Sequence, residues 1–222
     1  MTIRLAMLGD SIAAGRGASR RTETPGARLA HRLRDEGLTV TTRVFAVPGA
    51  RSGQLAAQVD AAARWRPRVA VVVIGANDLL HHTHAGRAAH QLADAVRRLR
   101  DSGAEVVVAP APDLSALPDT PAGLVPVLRA ASMLLRDTQI IAARAAGAHV
   151  ADRDHGSSRA FAADRSLFCA DRFHPSSAGY AVIAEALYPA VRAALEAQED
   201  QTGATAVTHR PARRQRQVSV TS

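Results

Sequence analysis

The sequence predicts a three-layer α/β/α sandwich built on a flavodoxin-like parallel sheet of about five strands. Two observations carry this. Short β-branched or aliphatic runs alternate with longer segments rich in Ala, Leu and Arg, the pattern of parallel strands joined by crossover helices. The third run, VAVVVIG, is apolar at every position but its closing glycine, which suits a central strand covered by helices on both faces.

Each element follows in order. Ile3 to Leu8 is a first strand that runs into GDSIAAG. Thr24 to Glu36 spaces Leu29 and Leu33 four residues apart and reads as a helix. Thr39 to Ala46 gives a second strand and Gly53 to Arg64 a second helix. Val69 to Ile74 is the third strand, followed by a helix over Ala85 to Asp101 with Leu92, Val96 and Leu99 on one face. Glu105 to Ala109 is the fourth strand, Val125 to Ala146 a long helix and Ala148 to Ala151 a fifth strand. Pro175 to Ala197 closes the domain as a helix, with Pro175 placed as its first residue.

Composition narrows the class. The 222 residues fit one domain with a real core, residues 1–198, followed by a basic tail, 199–222, that lacks apolar periodicity and reads as disordered. The net charge of +8 comes from scattered arginines; no lysine occurs. The tail's arginines have no interleaved aromatics on which bases could stack, so no nucleic-acid partner is expected. Cys169 is alone, cannot form an internal disulfide and reads as a buried, inert thiol. No run approaches a membrane span, and the N-terminus lacks a signal-peptide core, so a cytoplasmic protein is expected.

In an open parallel sheet, ligands bind beyond the carboxyl ends of the strands. Ser11 stands after the first strand, where it could be a projecting hydroxyl or simply a cap or turn residue. The glycine spacing around it matches neither phosphate-binding fingerprint. Gly49 follows the second strand in AVPGARS, in a tight turn after Pro48. IGANDLL follows the third: Gly75 permits close backbone approach, and Asn77 offers neutral amide donors or an Asx turn, with Asp78 a candidate helix cap. Asp10 reads as a turn former. FCADRFHPSSAGY precedes the last helix, and there Asp171, three residues before His174, can accept a hydrogen bond from one imidazole nitrogen and leave the other free to take a proton. A helix opened by Pro175 beside the ring would disfavour imidazolium. His81, His82 and His84 in HHTHAG lack acidic or cysteine partners at metal-ligand spacing and read as a polar rim leading to the next helix.

The four blocks GDSIAAG, Gly49 in AVPGARS, GAND and DRFHP, in that order from about Ile3 to Ala197, resemble those of the SGNH hydrolases, also called GDSL esterases/lipases. The resemblance implies that Ser11 is a nucleophile, His174 its base and Asp171 the residue that orients the imidazole. It further implies an oxyanion hole made by the backbone N–H groups of Ser11 and Gly49 and the side chain of Asn77. The reaction implied is hydrolysis of small-molecule carboxylic esters, short-chain acyl or acetyl esters by preference, through an acyl-enzyme and with no metal or organic cofactor. Acyl transfer by the same intermediate, and a non-catalytic anion- or nucleotide-binding sandwich, are the competing readings. APAPDLSALPDTPAGL, after the fourth strand, is expected to frame one wall of the pocket.

Overall fold

The structure is a computed structural model and describes residues 2–152 and 154–208. In chain order it consists of β1 (Ile3–Gly9), α1 (Ser11–Ala14), α2 (Pro25–Asp35), β2 (Val40–Val44), α3 (Leu55–Trp65), β3 (Val69–Val73), α4 (Ala76–Leu80), α5 (Ala85–Asp101), β4 (Glu105–Ala109), α6 (Val125–Ala145), β5 (His149–Val150), α7 (Gly156–Ala163) and α8 (Ser177–Thr208). Short 3-10 turns fill several of the connections. The five strands form one sheet in the order β2-β1-β3-β4-β5, every pair parallel. This is the flavodoxin-like order, with the change of winding direction between β1 and β3.

Strand β3 explains the three layers. Ala70 and Val72, with Ile74 just beyond, face one core with Leu55 and Val59 of α3 and Leu92, Val96 and Leu99 of α5. Val69, Val71 and Val73 face the other, with Leu29 and Leu33 of α2 and Leu187, Val191 and Leu195 of α8. All of these side chains are buried, and each Val, Leu and Ile among them contributes about 1.5–3 kcal/mol of transfer free energy. Period-2 alternation along a strand and helical spacing on its covers therefore meet at the same residues.

The end of β1 is drawn tight against β3. Gly9 has φ +127°, and a Cβ there would lie 1.8 Å from the Val73 carbonyl oxygen, so no other residue fits. Two buried glutamines pin the strand ends. Gln58 of α3 accepts from Gly9 N at 2.7 Å and donates to Gly9 O at 2.9 Å. Gln139 of α6 accepts from Ala111 N at 2.8 Å and donates to Ile74 O at 3.3 Å.

Two expectations need correction, and one helix is new. Pro175 is not the first residue of the last helix: it forms a β-bridge with Phe168, and α8 starts at Ser177. Gly156–Ala163 forms α7, a helix not expected from the sequence; none of its residues is fully buried. Cys169 is half-buried rather than sealed in the core. At the C-terminus α8 continues to Thr208, past the domain boundary expected after 198. The rest of the basic tail, 209–222, lies outside the described residues. Among the described residues no helix is long and apolar enough to cross a membrane.

Candidate active site

Sharp turns at the carboxyl ends of β1 and β3 set the site. Asp10 is the N-cap of α1, its carboxylate accepting from Ile12 N at 2.9 Å, which places Ser11 as the first residue of a one-turn helix. Asp10 thus forms the turn as expected, and Ser11 is not itself the cap. After β3, Gly75 has φ +135° and sits so close to the next strand's loop that a Cβ would meet the Ala111 Cβ at 2.6 Å. That turn delivers Asn77 into α4, with Gly75 rather than Asp78 as its N-cap.

Ser11 and His174 are brought together over 163 residues, with His174 Nε2 3.0 Å from Ser11 Oγ. On the other side of the ring, Nδ1 lies 2.6 Å from Asp171 Oδ2. Asp171 Oδ1 accepts from His174 N at 2.8 Å and from Phe173 N at 3.0 Å, and the Cys169 thiol lies 3.1 Å away. Desolvation opposes ionisation of this carboxyl, but the hydrogen bonds from His174, Phe173 and Cys169 outweigh it and hold Asp171 well below the usual carboxylate range. An ionised Asp171 fixes the proton on Nδ1 and leaves the Nε2 lone pair facing the Ser11 hydroxyl. The arrangement can take a proton from that hydroxyl.

The serine and histidine loops are stitched to each other. The Tyr180 hydroxyl of α8, on a fully buried side chain, donates to Arg16 O at 2.6 Å. Ser19 N donates to Ser177 Oγ at 2.9 Å, and that hydroxyl donates to Glu23 at 2.7 Å. Because α8 begins three residues after His174, the ring's position comes from these ties and from Asp171, not from a helix opened by Pro175.

The other expected donors follow β2 and β3 in the chain. Gly49 lies in the turn after β2 at φ +82°, with open space where a Cβ would be. Among the described residues no acceptor takes up the backbone N–H of Ser11 or Gly49. Asn77 Nδ2 donates to Ala50 O at 3.1 Å, which ties α4 to the residue after Gly49.

Asp78 has a place that its sequence position does not reveal. It is fully buried and accepts from Ser52 N at 3.0 Å and Ser52 Oγ at 2.8 Å. Asp10 is also buried, and its carboxyl is raised to about 7: burial is the main cause, the Ile12 N–H opposes it, and the neighbouring Asp78 adds to it. His81, His82 and His84 are on the surface, and among the described residues no three His, Cys, Asp or Glu side chains gather as a metal cage. A cavity of about 100 Å³ is lined by Ile12, Ala76, Phe173 and Pro175, the sequence neighbours of Ser11, Asn77 and His174. Pro110, Pro112, Leu114 and Leu117 form one wall of it, as expected for the segment after β4.

Comparison with known proteins agrees with this layout. The model of the GDSL-like lipase/acylhydrolase family matches residues 7–182. A GDSL-like esterase of Mycobacterium tuberculosis is 37% identical over 202 residues, covering 89% of this chain and 64% of that protein. The chain therefore spans somewhat under two thirds of that relative's length. Among solved structures, TesA superposes with a TM-score of 0.70 at 22% identity, covering 86% of this chain and 99% of that one. The psychrotrophic esterase EstA from Pseudoalteromonas sp., in a form inhibited by monoethylphosphonate, gives 0.68 at 18% identity, covering 87% and 98%. These two likenesses show a common fold.

Proposed function

Since the chain belongs to the GDSL-like lipase/acylhydrolase family, we propose that it hydrolyses carboxylic esters of small molecules through an acyl-enzyme on Ser11. The observation that carries the reading is the continuous relay from Asp171 through His174 to the Ser11 hydroxyl. Ser11 attacks the ester carbonyl while His174 Nε2 takes its proton; that proton then goes to the departing alcohol. His174 next draws a proton from water, which attacks the acyl-enzyme and frees the acid and Ser11. Asp171 orients the ring and stabilises the imidazolium formed in each half-reaction.

Negative charge develops on the carbonyl oxygen only in the tetrahedral states. The N–H groups of Ser11 and Gly49 and the Asn77 amide supply donors for it, each worth about 2.7–4 kcal/mol of barrier lowering in comparable sites. The hydrolytic unit in this reading is residues 1–198, with 199–222 outside it. Short-chain acyl esters are the preferred substrates.

The test is covalent. A fluorophosphonate should add once per chain, on Ser11 by peptide mapping, and not at all to Ser11→Ala. The fold it shares with EstA, which is inhibited by a monoethylphosphonate, makes this reagent class a suitable probe. A folded protein that stays unlabelled, or is labelled elsewhere, overturns the reading.

A further inference from the structure

Helix α6 buries one face and leaves another apolar. Ser132, Leu135, Arg136, Gln139 and Ala143 are its buried residues. On the outer side, Leu124, Val127, Leu134 and Ile141 are 51%, 65%, 63% and 70% exposed. Elsewhere among the described residues, the large apolar side chains that stand out into solvent are Val44, Val47 and Leu80. Scattered singly, such residues are ordinary surface; four along one helix make a patch, and patches mark contact sites.

Their spacing is regular. Leu124, Val127, Ala131, Leu134, Thr138, Ile141 and Ala145 follow one another at alternating steps of three and four residues, the seam of a two-stranded coiled coil. All are exposed except Thr138, which is half-buried. That one polar side chain already uses its donor: Thr138 Oγ1 donates to Leu134 O at 2.6 Å, so covering it strands no hydroxyl hydrogen. Along the seam the larger Val127, Leu134 and Ile141 alternate with the smaller Ala131, Thr138 and Ala145. Reversing the helix exchanges the two rows, so an antiparallel copy sets large side chains against small ones. The seam is complementary to itself.

From this we infer that the outer face of α6 pairs two copies of this chain, antiparallel about a two-fold axis. The register follows from charge and coverage. An axis between Leu134 and Thr138 brings Asp137, exposed beside the seam, next to its own copy, and like charges repel. An axis between Thr138 and Ile141 leaves Leu124 and Val127 uncovered. An axis between Ala131 and Leu134 avoids both faults: Ala131 meets Leu134 of the second copy, Val127 meets its Thr138, and Leu124 meets its Ile141. From Leu124 to Ile141 the contact is about 26 Å long and about 10–12 Å wide. That is well below the ~800 Å² per partner of a standard interface, so the dimer exchanges with monomer at a Kd on the order of 10–100 μM.

The test is sedimentation of the full chain from about 1 to 500 μM, where the wild type should pass from monomer to dimer. Leu134→Glu should stay monomeric over the whole range, because pairing would bury unpaired carboxylates in the seam. Val127→Glu and Thr138→Arg should each weaken the dimer by about tenfold or more. Mixed in equal amounts, these two variants should associate within about threefold of wild type, since only the stated register sets Glu at 127 against Arg at 138. Circular dichroism checks that each variant is folded. A wild type that is monomeric at 500 μM, or a dimer that survives Leu134→Glu, overturns the inference. A mixture that associates no better than its components overturns the antiparallel register.

Discussion

Asp78 takes both the backbone N–H and the hydroxyl of Ser52, at 3.0 and 2.8 Å, and so fastens the loop after β2 to the helix after β3. Gly49 lies on one side of that fastening and Asn77 on the other. Asp78→Ala should lower stability by about 2–3 kcal/mol, because it strands two buried donors. It should also cut kcat about tenfold with little change in KM. Ser52→Ala, which leaves the N–H in place, should cost about 1 kcal/mol. Urea unfolding and steady-state kinetics on both variants check the order, and a Ser52→Ala effect larger than that of Asp78→Ala contradicts it.

Asn77→Ala should reduce kcat by about 10²- to 10³-fold and leave KM within a few-fold, since a donor to a developing oxyanion acts mainly in the transition state. A change confined to KM would assign Asn77 to substrate binding instead.

Asp171→Asn keeps the shape of the DRFHP turn but can present an amide hydrogen to Nδ1, favouring the wrong tautomer of His174. We expect a loss of about 10³-fold or more in kcat with normal substrate affinity. Fold retention is checked by circular dichroism, and a variant that keeps even a tenth of wild-type kcat removes Asp171 from the relay.

Asp10 gives a pH dependence of stability. Its carboxyl is raised from 3.8 to about 7 by burial, so the folded chain favours the protonated form. The resulting stabilisation is fully present below pH 3.8, is lost progressively as the pH rises toward 7, and falls no further above that. Asp10→Asn retains an oxygen for Ile12 N and cannot ionise. Its stability relative to wild type should therefore increase between pH 4 and pH 7, by about 1.4 kcal/mol per unit at most. Urea unfolding across this range measures it; parallel stability curves would show that Asp10 keeps an ordinary carboxyl in the fold.

Much of this molecule was legible in its sequence because the informative residues act locally or by period. The β3 run alternates between two cores, and α5 has the bounds its Leu92, Val96 and Leu99 spacing suggests. The proximity of Ser11, Asp171 and His174 followed from the ends of elements in an open parallel sheet. What stayed hidden depends on partners far away in sequence. Asp78 looks like a helix cap until Ser52 is beside it, and Cys169 looks like a core residue until its half-buried thiol is found against Asp171. Helix α7 has no fully buried residue to announce it. Pro175 resembles a helix opener because a proline's local geometry is indifferent to whether a bridge to Phe168 has claimed it.

The ties between the Ser11 loop and α8, through Tyr180 to Arg16 and Ser177 to Ser19, also bear on how the protein is made. In the proposed reading, a ribosome-bound chain that has not yet released the segment around His174 holds Ser11 without its base. Such a chain can assemble most of its sheet while it remains chemically silent. In the proposed reading, reactivity toward esters would switch on late in synthesis, when the last helix docks, and the appearance of turnover during translation would time the closure of the domain.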